Sequence, residues 1–257
     1  MLSKAKLKYI QSLGQKKSRD EEGVFIAEGP KLVKELLEAK NVEVNEVYAV
    51  KDWLDENKKL LMNIAAIEII EPELDRISQL TTPNKVLAIV KKIDPITIGW
   101  EPIVTKEKIT LALDAIQDPG NLGTIIRTAD WFGIEQIVCS KDCVDVYNPK
   151  VVQATMGSIY RVKLFYTDLK EWLPMQKDIR IYATVLEGQD INTMKKIQEG
   201  IILIGNESKG INDELLKLAN VRITIPKNAR LNDSVGQGKA ESLNAAVAAG
   251  IVMNYIS

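Results

Sequence analysis

The chain has 257 residues, 46% of them hydrophobic and 27% charged, with a formal net charge of −1, and no run reaches the roughly 20 apolar residues of a membrane span. It contains no histidine, which excludes Ser-His-Asp and Cys-His nucleophile systems and histidine-ligated metals. Cys139 and Cys143 are too few for a disulfide framework and lack further metal ligands nearby, so we expect no metal site and a reducing, cytoplasmic location. The missing apolar run leads us to expect no membrane partner.

The chain opens with a basic segment whose first part, Ser3 to Leu13, has a helical pattern. Up to Arg19 there is no acidic residue, and six side chains are cationic: Lys4, Lys6, Lys8, Lys16, Lys17 and Arg19. Such a segment can contact RNA phosphates, which gives affinity without sequence specificity. A solvated helix face with no partner is the alternative interpretation.

Strand-like and helical patterns alternate over the rest of the first 92 residues. VFIAEG, VNEVYAV, IEII and KVLAIVKK read as strands, and KLVKELLEA, DWLDENKKLLMN and PELDRISQL as helices. This alternation predicts a small α/β domain over residues 1–92. Residues 93–107 carry two prolines and no clear period, so we interpret them as a linker.

The alternation resumes in a second predicted domain, residues 108–257. Its first strand, Ile109 to Ala115, is an apolar run typical of a parallel sheet buried on both faces. Further strands and helices follow, and an Ala-rich, mostly apolar helix from about Ala240 to Tyr255 ends the chain. The pattern predicts an α/β fold with a parallel sheet.

Three loops follow predicted strands, and ligands of open parallel sheets collect at the carboxyl ends of strands. The first leads into a helix carrying Arg127, for which Asn121 is a plausible N-cap. The second is a glycine-rich turn containing Asn206 and Glu207, and the third leads into the last helix near Asn244. Taken singly, each loop is equally compatible with an ordinary turn or helix start.

The order and content of these loops resemble the three motifs of the SpoU (TrmH-like) methyltransferases of the SPOUT class. The motifs are N-L-G-x-x-x-R, then G-N-E-x-x-G, then I-P followed by E-S-L-N-x-x-V-A-A-G. GVFIAEGPKLVKELL more faintly resembles the small RNA-binding domain, similar to ribosomal protein L30e, of many members. The resemblance implies a parallel-sheet domain with a deep trefoil knot, an exception to the rule that connections are un-knotted.

The resemblance also implies a cofactor, an oligomer and a set of site residues. Members bind S-adenosylmethionine (AdoMet) in the knot and act as homodimers, with the last helix at or near the interface. The matching cofactor-binding positions here are Thr184, Leu186, Gly205, Asn206, Ile225, Ser242, Leu243 and Asn244. The matching catalytic positions are Arg127 with Asn121, Glu207 and Asn244.

Two roles stay open for Arg127. It could act as a base if a substrate phosphate and buried surroundings perturb it, or it could clamp that phosphate and stabilise the developing alkoxide. The second role is favoured, because an arginine with a pKa above about 12 is ordinarily a cation. The polar loop 227–240 is longer than the usual family spacing, and we expect a flexible excursion beside the cofactor entrance.

The implied activity is methylation of a ribose 2′-hydroxyl in RNA. The N-terminal domain favours 23S-type rRNA, because shorter relatives without it tend to act on tRNA. A tRNA ribose methyltransferase, a base methyltransferase and a non-catalytic RNA-binding factor in ribosome assembly are the alternatives. The presence of all four catalytic positions argues against the non-catalytic alternative.

Overall fold

The computed structural model describes residues 2–93, 103, 105–227 and 241–256. The chain divides into two compact units, the first formed by Met1–Glu101 with Asp145–Arg161 and the second by Pro102–Val144 with Val162–Ser257. Most of the predicted linker, residues 94–102 and 104, lies outside the described residues. The predicted boundaries at 92 and 108 stay a prediction, and one segment that they assign to the second domain, Asp145–Arg161, packs within the first unit.

The first unit contains a four-stranded mixed sheet in the order β1-β4-β2-β3. β4 is antiparallel to β1 and β2, and β3 is parallel to β2. The strands are β1 (Val24–Glu28), β2 (Val44–Ala49), β3 (Ala65–Glu68) and β4 (Val86–Lys91). The helices are α1 (Lys4–Ser12), α2 (Lys16–Glu22), α3 (Pro30–Glu38), α4 (Lys51–Glu56), α5 (Glu71–Ile77) and α7 (Pro149–Thr155).

Apolar side chains of α1, α5 and the strands form the core of this unit. Leu7, Ile10, Ile26, Ile77 and Leu87 are among its buried members. The later segment Asp145–Arg161 adds α7, which packs against β1, and the rings of Phe25 and Tyr147 lie 4.9 Å apart. A strand that is buried along its whole length, as β1 is, needs this cover from a distant part of the chain.

The second unit contains a six-stranded parallel sheet in the order β10-β8-β9-β5-β6-β7. The strands are β5 (Ile109–Leu113), β6 (Gln136–Ser140), β7 (Lys163–Thr167), β8 (Ile181–Asp190), β9 (Gly200–Ile204) and β10 (Val221–Thr224). The helices are α6 (Pro119–Trp131), α8 (Leu169–Trp172), α9 (Asp213–Leu218) and α10 (Ala245–Ile256). The predicted α/β fold with a parallel sheet is confirmed.

β8 contains an excursion that the sequence pattern does not predict. Ala183 pairs with Arg222, but the next residue of β10, Ile223, pairs with Gln189. Residues 184–188 therefore project from the ladder between two successive pairs. Gly188 closes the excursion, because a Cβ atom there would lie 2.7 Å from the carbonyl oxygen of Arg222.

α10 packs against α6 and starts at Ala245, later than the predicted start near Ala240. Residues 228–240, which separate β10 from the described part of the last segment, lie outside the described residues, as does the longer loop noted above. The predicted trefoil knot therefore stays a prediction. Across the described residues, no helix is long and apolar enough to cross a membrane, and no cluster of three metal-ligating side chains occurs.

Candidate active site

Three polar side chains from three separate loops of the second unit meet in one cluster. The carboxylate Oε1 of Glu207 accepts hydrogen bonds from Nδ2 of Asn121 and from Nδ2 of Asn244, the latter at 3.4 Å. Asn244 Nδ2 also donates to Asn121 Oδ1 at 2.9 Å. The structure thus brings together three of the four predicted catalytic residues, although up to 123 residues separate them in sequence.

The position of Asn121 corrects its predicted role as N-cap. The N-cap of α6 is Asp118, whose Oδ1 accepts the backbone N–H of Asn121 at 2.8 Å, and Pro119 occupies the first helical position. Proline suits that position because its missing N–H has no partner there in any case. The side chain of Asn121 is therefore free of capping and available to the cluster.

Asn244 serves the cluster and a helix at once. Its Oδ1 accepts the backbone N–H groups of Ala246 at 3.0 Å and Val247 at 3.2 Å, which makes it the N-cap of α10. The same amide donates through Nδ2 to the cluster. This double use fixes the side-chain orientation, since the oxygen must face the helix and the nitrogen must face Glu207.

Arg127 lies on α6, exposed to solvent. Within residues 2–93, 103, 105–227 and 241–256, its guanidinium has no hydrogen-bond or ion-pair partner. Ile126 and Ala129 of the same helix are fully buried, so the face of α6 that carries Arg127 points to solvent. A cation held on a helix, with no partner among these described residues, can bind an anionic group of a substrate.

The predicted cofactor residues Thr184 and Leu186 lie within the excursion of β8 rather than after the strand, because β8 continues to Asp190. Thr184 Oγ1 donates to the carbonyl of Leu203 at 3.0 Å, while the Leu186 side chain is 71% exposed. Ile225 follows the last residue of β10 and is partly exposed. Ser242 and Leu243 are exposed immediately before α10.

The second predicted loop folds tightly on itself. A Cβ atom on Gly205 would lie 2.4 Å from the backbone of Gly210 and Ile211. Only glycine fits at position 205, because the backbone of residues 210–211 passes so close to it. Asn206 Oδ1 accepts the N–H groups of Ser208 and Lys209 at 2.9 and 3.2 Å. The Asn206 side chain is therefore committed to shaping the turn, and its backbone N–H and carbonyl pair with Gly210 at 3.0 and 2.8 Å, so its cofactor contact stays a prediction.

The six predicted RNA-binding cations do not form one uniform basic face. Arg19 is only 1% exposed, and its guanidinium donates to the carbonyls of Leu13 and Gly14 and to Asp145 Oδ2 at 2.6 Å. Its assignment to RNA contact is wrong for this physical reason. Lys4, Lys8, Lys16 and Lys17 are exposed, but Lys16 and Lys17 lie beside the acidic side chains of Asp20 and Glu21, and the partly buried Lys6 pairs with Glu46.

Two acceptors at the carboxyl ends of the neighbouring strands β5 and β6 are not among the residues predicted from the sequence. Asp114, at the end of β5, is 9% exposed and accepts the N–H of Asn212 at 2.7 Å, and burial raises its pKa. Ser140, at the end of β6, accepts the N–H of Ala115 at 2.9 Å. Their places at the carboxyl ends of strands are the signal that could have found them.

Two family models together match nearly the whole chain. The family model described as "SpoU rRNA Methylase family" matches residues 108–254, and the "MRM3-like substrate binding domain" matches residues 4–88. The 23S rRNA (guanosine(2553)-2'-O)-methyltransferase RlmP of Bacillus subtilis is 29% identical over 254 residues, which covers 98% of this chain and 95% of the relative.

Two solved structures are similar over nearly the full length. One, from Porphyromonas gingivalis and assigned to the TrmH family of RNA methyltransferases, is 33% identical with a TM-score of 0.80, covering 99% of this chain and 98% of the other. The other, an AdoMet-bound rRNA methyltransferase from Sinorhizobium meliloti, is 30% identical with a TM-score of 0.82, covering 98% and 94%. The resemblance inferred from the three motifs is confirmed: this chain belongs to the SpoU rRNA methylase family.

Proposed function

We propose that this protein transfers a methyl group from AdoMet to the ribose 2′-hydroxyl of a specific nucleotide in 23S-type rRNA. The observation that carries the proposal is the Asn121–Glu207–Asn244 cluster, which joins all three motif loops of a SpoU chain. The ribose and rRNA assignments are supported by the Bacillus subtilis relative, whose name states a 23S rRNA 2'-O-methyltransferase.

The residues at the carboxyl end of the sheet fit AdoMet. Residues 184–188 have no partner in the described ladders of β9 or β10, and although the carbonyl of Leu186 accepts from Thr224 Oγ1 at 2.9 Å, other backbone groups there can bind a ligand. Leu186 and Leu243 expose 71% and 45% of their surface, which suits contact with an adenine ring. When bound, AdoMet supplies a methyl group that is electrophilic because it is attached to a sulfonium.

Arg127 acts as a phosphate clamp in this proposal. A ribose 2′-hydroxyl is a poor nucleophile and must lose its proton as it attacks. The exposed guanidinium binds the phosphate of the target nucleotide and stabilises the developing alkoxide, while the proton leaves to phosphate or water. A role as base is less favourable, because that role calls for buried surroundings and none of the described residues buries the Arg127 side chain.

The amide–carboxylate cluster keeps the loops in one arrangement. Glu207 receives two amide donors, so its carboxylate has a defined orientation before substrate binds. Preorganised alignment of two reactants can supply roughly 7–11 kcal/mol of a reaction barrier. We assign to Asn121, Glu207 and Asn244 the alignment of the ribose with the methyl group.

The proposal includes a homodimer and a cytoplasmic location. Apolar side chains remain exposed on the paired helices α6 and α10, notably Trp131 at 85% and Val247 at 51%. A second copy of the chain would bury them, in agreement with the interface implied by the resemblance. Both cysteines are free, which is compatible with a reducing compartment.

The first test is methyl transfer by the purified protein and its Arg127→Ala and Arg127→Lys variants. Methyl-labelled AdoMet is incubated with unmodified rRNA or tRNA, and the label is mapped to sugar or base by resistance to alkaline hydrolysis. We expect an alkali-resistant 2′-O-methyl nucleotide in rRNA. Arg127→Ala should reduce the rate at least about 100-fold, and Arg127→Lys should restore only a part, because lysine lacks the planar fork.

The other outcomes separate the alternatives. Label in tRNA alone would favour the tRNA ribose methyltransferase, and label on a base would overturn ribose methylation. Failure to bind AdoMet, measured by calorimetry, would favour the non-catalytic assembly factor. Because Arg127 is exposed, its variants should melt at the wild-type temperature, which makes loss of folding an insufficient explanation for lost activity.

A further inference from the structure

The loop between β5 and α6 contains a residue in an unfavourable backbone conformation. Ala115 has φ of 54°, in the left-handed region that alanine rarely adopts. Residues held in that region persist only where surrounding contacts determine the conformation, and they cluster at functional sites. The contacts of Ala115 therefore identify what holds this loop.

Two side chains hold Ala115, one at each backbone polar group. Ser140 Oγ accepts the N–H of Ala115 at 2.9 Å, and Asn206 Nδ2 donates to the carbonyl of Ala115 at 2.8 Å. Ser140 is 8% exposed, so its hydroxyl is largely shielded from competing water. The next residue is held similarly, because Cys143 Sγ accepts the N–H of Ile116 at 3.3 Å.

Asn206 connects the hydrogen-bonded Ala115 to the Asn121–Glu207–Asn244 cluster. Its Nδ2 is bound to Ala115, while its Oδ1 holds the N–H groups of Ser208 and Lys209. Glu207 lies between these contacts in the turn, and its carboxylate receives the amide donors of Asn121 and Asn244. A chain of hydrogen bonds thus runs from Ser140 through Ala115 and Asn206 to the turn that carries Glu207.

We propose that Ser140 is a positioning residue for methyl transfer: its hydroxyl keeps Ala115 in the left-handed conformation, from which the Ala115 carbonyl holds Asn206 and so orients Glu207. This inference rests on the proposed methyltransferase function. Loss of the hydroxyl frees the N–H of Ala115 and lets the loop relax toward an ordinary backbone conformation. The carbonyl of Ala115 then turns away from Asn206, and the turn around Glu207 loses the contact that joins it to the β5–α6 loop, while its own Asn206–Gly210 backbone pair remains.

The test compares Ser140→Ala with a matched control. Thr110→Val also removes a buried hydroxyl, one that accepts a hydrogen bond from Gln136 Nε2 at 2.5 Å at the opposite end of β5. Both variants should lower the melting temperature by a few degrees, as loss of buried hydrogen bonds does, although Ser140 Oγ also contacts Cys143 Sγ at 3.6 Å. Only Ser140→Ala should lower kcat, by about tenfold or more, because small misplacements at a reacting centre are costly.

Two further variants separate positioning from general stability. Ser140→Thr keeps the hydroxyl and should restore most of kcat. Asn206→Asp keeps the acceptor for Ser208 and Lys209 but removes the donor to Ala115. If Ser140 and Asn206 act through the same residue, the double variant Ser140→Ala/Asn206→Asp should be no slower than the slower single variant.

Hydrogen exchange supplies a readout that needs no activity. Ser140→Ala should speed amide exchange in residues 205–211, and Thr110→Val should leave that segment unchanged. Wild-type kcat together with unchanged exchange in Ser140→Ala would overturn the proposal, as would equal losses of kcat in Ser140→Ala and Thr110→Val. If the wild-type protein methylates no RNA, the proposed function fails, while the exchange experiment still decides whether Ser140 holds the turn.

Discussion

At the scale of single residues, Asn244 illustrates how one amide can join a helix to a reaction site. Its oxygen caps α10 through Ala246 and Val247, and its nitrogen binds Asn121 and Glu207. The two functions use different atoms, so they can be separated by substitution.

Asn244→Asp removes the amide donor but keeps an N-cap acceptor. Aspartate caps helices about as well as asparagine, so the melting temperature should change little. The rate of methyl transfer should fall at least about tenfold, because a carboxylate would face the carboxylate of Glu207. Asn244→Ala should lose the rate and, in addition, about 1 kcal/mol of stability. Full activity of Asn244→Asp, measured with labelled AdoMet, would contradict the assigned role.

Glu28 of β1 makes the free energy of unfolding depend on pH. It is 4% exposed and accepts hydrogen bonds from Ser78 Oγ and from the N–H of Gln79. Burial raises its pKa, and this effect outweighs the two hydrogen bonds, which lower it. The folded state therefore binds the proton more tightly than the unfolded state, and the free energy of unfolding decreases as pH rises through the raised pKa.

Glu28→Gln should remove this pH dependence. The neutral amide can accept from Gln79 and donate to Ser78, so both contacts remain. The difference in melting temperature, variant minus wild type, should be larger at pH 8 than at pH 5. Circular dichroism measures both melting curves. An equal difference at both pH values would show that Glu28 does not titrate as its burial predicts.

Residues in local motifs could be predicted from the sequence, whereas contacts between distant residues could not. The motif positions Asn121, Glu207 and Asn244 could be predicted, because the three motifs that contain them resemble those of the SpoU methyltransferases. The burial of Arg19 could not, since its partner Asp145 lies 126 residues away and local sequence shows only a basic run. The contacts of Ser140 were hidden for the same reason, because they join strands that meet only in the folded sheet.

At the scale of elements, alternating patterns predicted the strands and helices well, but not how far each extends. The strand-like pattern Ile181–Val185 ends before Gly188, yet β8 continues to Asp190 because its second part pairs with β10 in a shifted register. Register shifts arise from contacts between strands and leave no period in the sequence. The excursion 184–188 was therefore missed, although two predicted cofactor residues lie in it.

Gly188→Ala tests whether that excursion forms part of the AdoMet site. The added methyl would lie 2.7 Å from the carbonyl oxygen of Arg222, so the backbone must shift. We expect the Kd for AdoMet to rise at least about tenfold in calorimetry, since backbone groups of residues 184–188 would be displaced. Gly250→Ala is the matched control: its methyl meets Thr128 Cγ2 at an ordinary 3.6 Å, and AdoMet affinity should not change.

At the scale of the whole molecule, the proposed dimer makes a prediction about mass. Trp131 ends α6 and is 85% exposed, so Trp131→Lys should disrupt a dimer built on α6 and α10 without harming the monomer fold. In analytical ultracentrifugation the wild type should sediment as a dimer of 28.7 kDa chains and the variant as a monomer. Met175→Lys, at a side chain 71% exposed outside these helices, should remain dimeric. A monomeric wild type would remove the proposed interface.

The first unit is assembled from two separated stretches of chain, and this determines when it can be finished during synthesis. β1 is covered by α7, and Arg19 is paired with Asp145, yet α7 and Asp145 are translated only after β5 and β6 of the second unit. At about 5–20 residues per second, the nascent N-terminal sheet waits several seconds for its cover. During that interval β1 lacks the cover of α7 and Arg19 lacks its carboxylate partner, so we expect the emerging domain to be less stable than the finished one.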